Sequence, residues 1–74
     1  MIDFRDRIKN LKIGTSFRFF MENRLAVHVE RSSNVRYNIF VIDEDGAYSY
    51  RFTSKEQTLA KLIDMTGSDC VRIA

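Results

Sequence analysis

Side chains that could act as nucleophiles or metal ligands are few in this sequence. It contains one histidine, His28, and one cysteine, Cys70, which could in principle form a nucleophile pair. His28 falls within a predicted strand, and Cys70 falls near the C-terminus without an evident orienting group. A single histidine cannot supply the several nitrogen or sulfur ligands that first-row metals require. The sequence therefore predicts no catalytic residue, no metal site and no cofactor, and we expect the chain not to be an enzyme.

The acidic run from Asp43 to Gly46 is the next chemical signal. It resembles part of a calcium-binding loop, but such a loop spreads its oxygen ligands over about twelve residues and ends in a bidentate glutamate. Here an aromatic-rich segment follows. A tight hairpin turn explains the run better, because Asp45-Gly46 suits the positive φ angles of a type I′ turn. The glycines are scattered at predicted element ends, so they form no phosphate-binding loop.

Alternating apolar residues on both sides of Asp45-Gly46 predict a β-hairpin over residues 35–52. With that turn, we expect Val41 to lie opposite Tyr50 and Ile39 to lie opposite Phe52. One face of the hairpin is apolar and aromatic. The other face carries Arg36, Asn38, Phe40, Ile42, Ser49 and Arg51.

Two further strands are predicted before this hairpin, from Thr15 to Met21 and from Leu25 to Arg31. Their inward-facing residues match if residues 22–24 form a three-residue loop. A second three-residue loop over residues 32–34 would place Val29 opposite Tyr37 and Glu30 opposite Arg36.

A helix is predicted at each end of the chain. Asp3 is the expected N-cap of the first helix, which carries an apolar stripe of Phe4, Ile8 and Leu11 and is expected to end at Gly14. The second helix is expected to begin with a capping box, with Thr53 as the N-cap, and to end at Thr66-Gly67. Its apolar stripe is formed by Leu59, Leu62 and Ile63.

These elements predict a single α-β-β-β-β-α domain over residues 1–74. The fold class is α+β: a four-stranded antiparallel β-meander with the N-terminal and C-terminal helices packed on one face. Residues 68–74 alternate weakly and could add an edge strand or lie against the second helix.

The composition agrees with a single small domain in a reducing compartment. Of the 74 residues, 45% are hydrophobic, which is enough for a core, and one cysteine cannot form an internal disulfide. No apolar run is long enough to span a membrane, and the first residues lack the apolar centre of a signal peptide. We therefore expect a cytoplasmic protein that does not bind membranes. The net charge is +2, with a basic N-terminal half and an acidic hairpin tip that could steer an anionic partner.

The sheet face away from the predicted helices is the candidate binding site. On the expected register, Phe20, Ala26 and Phe40 form one row across three strands, with arginines around them. An exposed apolar cluster with an arginine rim is typical of a binding surface. The alternative is that a helix or the C-terminal tail covers this face. The predicted partner-binding residues are Arg18, Phe20, His28, Arg36, Phe40 and Arg51.

The order of helix, antiparallel strands and helix over residues 2–65 is similar to that of double-stranded-RNA-binding domains. That family's lysine cluster would fall on residues 54–58, which offer only Lys55. Its histidine-containing loop would fall on residues 22–24, which contain no histidine. The phosphate-binding residues are thus missing, and the resemblance implies little about function.

The short opening helix, the compact meander and the second helix, FTSKEQTLAKLI, also resemble the layout of small phage-encoded inhibitors, including some anti-CRISPR proteins. This resemblance implies a protein that binds and blocks a host defence nuclease or nucleoprotein complex. The basic N-terminal half departs from the acidic members that mimic DNA. The expected function is therefore a non-enzymatic binding protein of phage or mobile-element type.

Two alternatives remain open from the sequence. A nucleic-acid-binding accessory protein could use the same face, because its aromatic and arginine side chains can stack on bases and neutralise phosphates. A homodimer could pair the exposed sheet faces or the edge strands.

Overall fold

The fold is built around one antiparallel sheet. The structure, a computed structural model, describes residues 1–21 and 26–71. The elements in chain order are β1 (Ile2–Asp3), α1 (Phe4–Lys9), β2 (Thr15–Phe20), β3 (Ala26–Ser33), β4 (Arg36–Asp43), β5 (Gly46–Phe52), α2 (Lys55–Thr66) and β6 (Cys70–Val71). The sheet has the order β2-β3-β4-β5, and all its neighbouring strands are antiparallel. The predicted small α+β fold with a four-stranded meander is therefore confirmed.

Strand alternation places every second side chain of β2, β3 and β4 in the core. We call this side of the sheet the inner face; its buried residues are Phe17, Phe19, Val27, Val29, Tyr37, Ile39 and Val41. Side chains from both helices belong to the same core. The ring of Phe4 in α1 lies 5.0 Å from that of Phe19. The ammonium group of Lys61 in α2 lies 4.2 Å from the centre of the Tyr50 ring.

The β4–β5 turn differs from the prediction by two residues of register. Glu44 and Asp45 form the turn, Asp43 lies opposite Gly46, and Val41 lies opposite Tyr48 instead of Tyr50. The cause is the Asp43 carboxylate, whose Oδ1 accepts hydrogen bonds from the backbone N–H groups of Asp45 (2.8 Å) and Gly46 (3.0 Å). Because the shift is even, each side chain stays on its predicted face.

The β3–β4 register was also wrong by two residues. Val29 lies opposite Ile39, and β3 continues to Ser33, with an irregularity between Arg31 and Ser33. The Ser33 hydroxyl accepts a hydrogen bond from the Val35 N–H (3.3 Å), which favours a turn over residues 34–35.

The β2–β3 register was predicted correctly. Arg18 lies opposite His28, and Phe20 lies opposite Ala26. The predicted loop over residues 22–24 and the predicted start of the strand at Leu25 lie outside the described residues.

Helix α1 begins as predicted and ends early. The Asp3 side chain accepts hydrogen bonds from the backbone N–H groups of the first helical turn, which confirms it as the N-cap. The helix ends at Lys9, because Asn10 caps it and donates its side-chain amide to the Asp6 carbonyl (2.9 Å). Gly14, predicted to end this helix, instead leads into β2 with a φ of 82°.

Helix α2 is capped one residue later than predicted. Ser54 is the N-cap, and its Oγ accepts a hydrogen bond from the Gln57 N–H (3.1 Å). The Gln57 side chain in turn accepts from the Thr53 N–H (3.2 Å). Both Thr53-x-x-Glu56 and Ser54-x-x-Gln57 fit the capping-box pattern, so spacing alone does not separate them. The helix ends at Thr66-Gly67, as predicted, and Gly67 adopts the left-handed conformation.

The two ends of the chain pair with each other. Strand β1 is antiparallel to β6, with Ile2 opposite Val71, and the Phe4 N–H donates to the Asp69 carbonyl (2.9 Å). In the described part of the chain, the C-terminal segment therefore joins β1 in a separate two-stranded ladder. Residues 68–71, the described part of this segment, add no edge strand to the four-stranded sheet.

Candidate functional site

The side of the sheet opposite the inner face, which we call the outer face, carries exposed apolar side chains. Phe20 is 58% exposed, Ile42 is 55% exposed and Phe40 is 37% exposed. Each belongs to a strand whose alternate residues are buried on the inner face, so folding of the core places them outside.

The register arranges the outer face in three rows across the four strands. The apolar row contains Phe20, Ala26, Ile42 and Ala47. The mixed row contains Arg18, His28, Phe40 and Ser49. The polar row contains Ser16, Glu30, Asn38 and Arg51. The apolar row lies nearest the Glu44-Asp45 turn, and the polar row lies farthest from it.

A shallow groove of about 530 Å³ follows the apolar and mixed rows. Small side chains flank larger ones in it: Ala47 and Ser49 on β5 lie beside Ile42 and Phe40 on β4. The residues that line it include Arg18, Ala26, His28, Phe40, Ile42 and Tyr48. The rings of His28 and Phe40 lie 6.0 Å apart, so aromatic surface forms the middle of the groove.

Positive and negative side chains lie at opposite ends of β5. Arg51 occupies the β5 end of the polar row, whereas Glu44 and Asp45 form the turn beyond the apolar row. The carboxylate of Glu30 in the polar row accepts a hydrogen bond from the Asn38 amide (2.9 Å). Along β4 and β5, the outer face therefore runs from the acidic turn through Ile42 and Phe40 to Arg51, while Glu30 on β3 adds a negative charge to the row of Arg51.

The structure brings together most of the residues predicted for the site. Arg18, His28 and Phe40 share the mixed row, and Phe20 lies in the next row. Arg51 lies in the polar row, on the strand next to Phe40.

The strand pairing of Arg36 and the composition of one predicted row differ from the prediction. Arg36, predicted to lie opposite Glu30, pairs with Ser33 at the start of β4, beyond the polar row. The predicted row of Phe20, Ala26 and Phe40 contains Ile42 in place of Phe40 because of the two-residue register shift. Sequence reasoning also missed Ala47 as part of the groove floor; a two-residue Glu44-Asp45 turn would have indicated it.

The side chains considered for catalysis are placed in different parts of the fold. His28 lies on the outer face of β3, and Cys70 lies in the β1–β6 ladder. The Cys70 Sγ is 3.7 Å from Asp69 Oδ1 and 4.0 Å from the Ser68 hydroxyl. Within residues 1–21 and 26–71, no three His, Cys, Asp or Glu side chains lie close enough together to hold a metal ion.

The comparison with known proteins identified no relative of this chain. No protein family, curated protein or solved structure matches the chain. Among the described residues, no helix has the length and apolar character needed to cross a membrane.

Proposed function

We propose that this chain is a non-enzymatic binding protein whose outer face contacts a protein partner. The exposed apolar and aromatic surface around Phe40, with Arg18 and Arg51 beside it, supports this proposal. Clusters of this kind on small proteins mark interaction sites, because leaving apolar surface in water is unfavourable and a partner removes it. Aromatic and arginine side chains are also enriched among the residues that dominate binding energy.

The proposal takes both helices to pack on the inner face, so that the outer face remains open. The contacts of Phe4 with Phe19 and of Lys61 with Tyr50 support this arrangement, because all four side chains belong to the inner side of the molecule. The exposure of Phe20 and Ile42 supports it from the other side of the sheet.

We further propose that the partner is a host defence protein or nucleoprotein complex, which the protein inhibits. The support is the resemblance of size and layout to small phage-encoded inhibitors, including anti-CRISPR proteins. A protein that acts without catalysis changes its partner by covering a surface. The groove fits a partner with an apolar anchor and carboxylates placed to meet Arg18 and Arg51.

Nucleic-acid binding is the second candidate, and the shared face of Phe40, His28 and Arg18 favours it. These side chains could stack on unpaired bases and contact phosphates. Salt separates the two candidates, because each neutralised phosphate adds about −0.7 to −0.9 to the slope of log affinity against log salt. A protein interface of the proposed kind depends mainly on buried apolar contacts, which salt weakens little.

The test combines two binding experiments. Fluorescence anisotropy of labelled duplex DNA, duplex RNA and single-stranded RNA is measured with the protein across a range of salt. Affinity capture from a bacterial host lysate is then compared for the wild type, Phe40→Glu and Val35→Glu. Val35 is the matched control, because it is 66% exposed and lies in the β3–β4 turn outside the groove.

We expect no nucleic-acid binding at physiological salt, and a captured protein that is retained by Val35→Glu and lost with Phe40→Glu. With the partner purified, Phe40→Ala should weaken binding by about 1–3 kcal/mol if Phe40 is a central contact. Nucleic-acid binding with a steep salt slope would favour the second candidate. A partner that both variants retain equally would contradict the choice of face.

A further inference from the structure

Along β4 and β5, the charge pattern of the outer face is complementary to itself. The midpoint between the apolar and mixed rows is the level of the Val41–Tyr48 pair. Glu44 lies three residues from this level toward the turn, and the polar row with Arg51 lies three residues from it in the other direction. Three residues of strand span about 10 Å, so opposite charges stand at equal distances on either side of an apolar centre.

We propose that the outer face binds the outer face of a second copy of this chain, with the strands of the two sheets antiparallel. The inference rests on the proposed function, in which this face is a protein-binding surface, and it names the occupant. The two-fold axis lies between the sheets at the level of the Val41–Tyr48 pair and runs across the strands. Such an isologous contact uses the same patch on both copies.

This geometry brings unlike groups together. Phe40 of one copy faces Ile42 of the other, and a Phe–Ile contact fits the spacing of about 10 Å between packed sheets. Phe20 faces Arg18 of the other copy, an arrangement that allows a cation–π contact. Arg51 faces the Glu44-Asp45 turn of the other copy, and symmetry forms this ion pair twice.

The other face-to-face arrangement is disfavoured by the same charges. A two-fold axis along the strands would keep each row against the same row of the other copy but reverse the strand order, so that β5 faces β2 and β4 faces β3. Arg51 of one copy would then face Ser16 of the other, away from the acidic turn. Only the antiparallel arrangement pairs Arg51 with the opposite charges of the Glu44-Asp45 turn, so the charges favour that arrangement.

The dimer also regulates the proposed function. One four-stranded face is a small contact, so we expect a dissociation constant on the order of micromolar. A partner that uses the same face then competes with the second copy. Binding to that partner should therefore become weaker as the concentration of the protein itself rises.

Sedimentation equilibrium of the purified full chain over a range of concentrations tests the dimer. The wild type should move from the monomer mass of 8.7 kDa at low concentration to twice that mass at high concentration. Phe40→Glu should stay monomeric, and Val35→Glu should dimerise like the wild type. Circular dichroism checks that each variant is folded.

A charge exchange tests the antiparallel geometry independently of Phe40. Arg51→Glu and Glu44→Arg should each weaken the dimer by roughly tenfold, because each places like charges opposite one another. The double variant should recover a large part of the lost affinity, since the exchanged charges again face each other while Asp45 keeps its charge. Two single losses without recovery in the double variant would overturn the proposed geometry.

The outcomes also separate this inference from the proposed function. A chain that is monomeric at every concentration but captures a protein through Phe40 overturns the dimer and leaves the proposed function standing. A dimer that persists unchanged in Phe40→Glu shows that the copies meet elsewhere and overturns the inference. A wild-type dimer that Phe40→Glu abolishes and the charge exchange restores supports it.

Discussion

Asp43 shows how one side chain sets the register of a hairpin and, through it, the composition of the candidate site. Its carboxylate accepts hydrogen bonds from the Asp45 and Gly46 N–H groups, which leaves Glu44-Asp45 as the two turn residues. Gly46 begins β5 with a φ of 149°, a conformation that glycine adopts more easily than other residues. Ala47 consequently lies beside Ile42, and the small alanine opens the groove on the outer face.

Asp43→Ala should therefore destabilise the protein by about 1–2 kcal/mol, because two backbone donors lose a charged acceptor at an exposed turn. The measurement is urea unfolding followed by circular dichroism. Glu44→Ala is the matched control, since it removes a neighbouring carboxylate from the exposed tip of the turn, and it should stay within about 0.5 kcal/mol of the wild type. Equal losses in the two variants would show that Asp43 does not hold the turn.

How far the site can be predicted from sequence depends on what a register error changes. Alternation fixed the face of Phe40 and Ile42, since a two-residue shift leaves every side chain on its own side of the sheet. The neighbours of Phe40 on the adjacent strands depend on the turn, and there the prediction failed twice. The side chains of Asp43 and Ser33 both accept hydrogen bonds from backbone N–H groups in the turns. The alternation of apolar and polar residues in the strands does not predict these hydrogen bonds.

At the scale of elements, α1 depends on the rest of the protein. Six residues are too few for a helix that is stable alone, and Asn10 ends it before Leu11 can extend its apolar stripe. Its position comes from the Asp3 cap and from Phe4, which is fully buried against Phe19. The sequence predicted the cap correctly; Phe4, Ile8 and Leu11 are all buried as expected, but Leu11 lies beyond the end of the helix. The early end escaped prediction, because it depends on the rotamer of a single amide.

Phe4→Ala should cost about 3–5 kcal/mol, the usual range for removing a buried phenylalanine. Phe20→Ala makes the same chemical change on the exposed outer face and should alter stability by less than about 1 kcal/mol. Thermal unfolding of both variants measures the difference. A large loss of stability in Phe20→Ala would mean that the outer face is covered within the monomer, and it would remove the basis of the proposed site.

At the scale of the whole molecule, the N-terminal and C-terminal segments contact each other. Strand β1 pairs with β6, so the first and last described strands hold each other, and Ile2 beside this contact is only 5% exposed. The sequence did not predict this ladder, because two residues at each end carry too little pattern to indicate a strand. A domain of this size buries a modest fraction of its surface, so a single terminal contact is a considerable part of its stability.

Ile2→Ala should accordingly destabilise the whole protein by about 2–4 kcal/mol, although it changes the second residue of the chain. Ile13→Ala is the matched control, because it is the same truncation at a side chain that is 52% exposed, and it removes little buried surface. Amide hydrogen exchange shows whether the effect is global. In Ile2→Ala, the exchange rates of the β3 and β4 amides should rise by the same factor as the equilibrium constant for unfolding. If only the amides of β1 and β6 exchanged faster, the ladder would open separately, and the termini would contribute little to the stability of the central sheet.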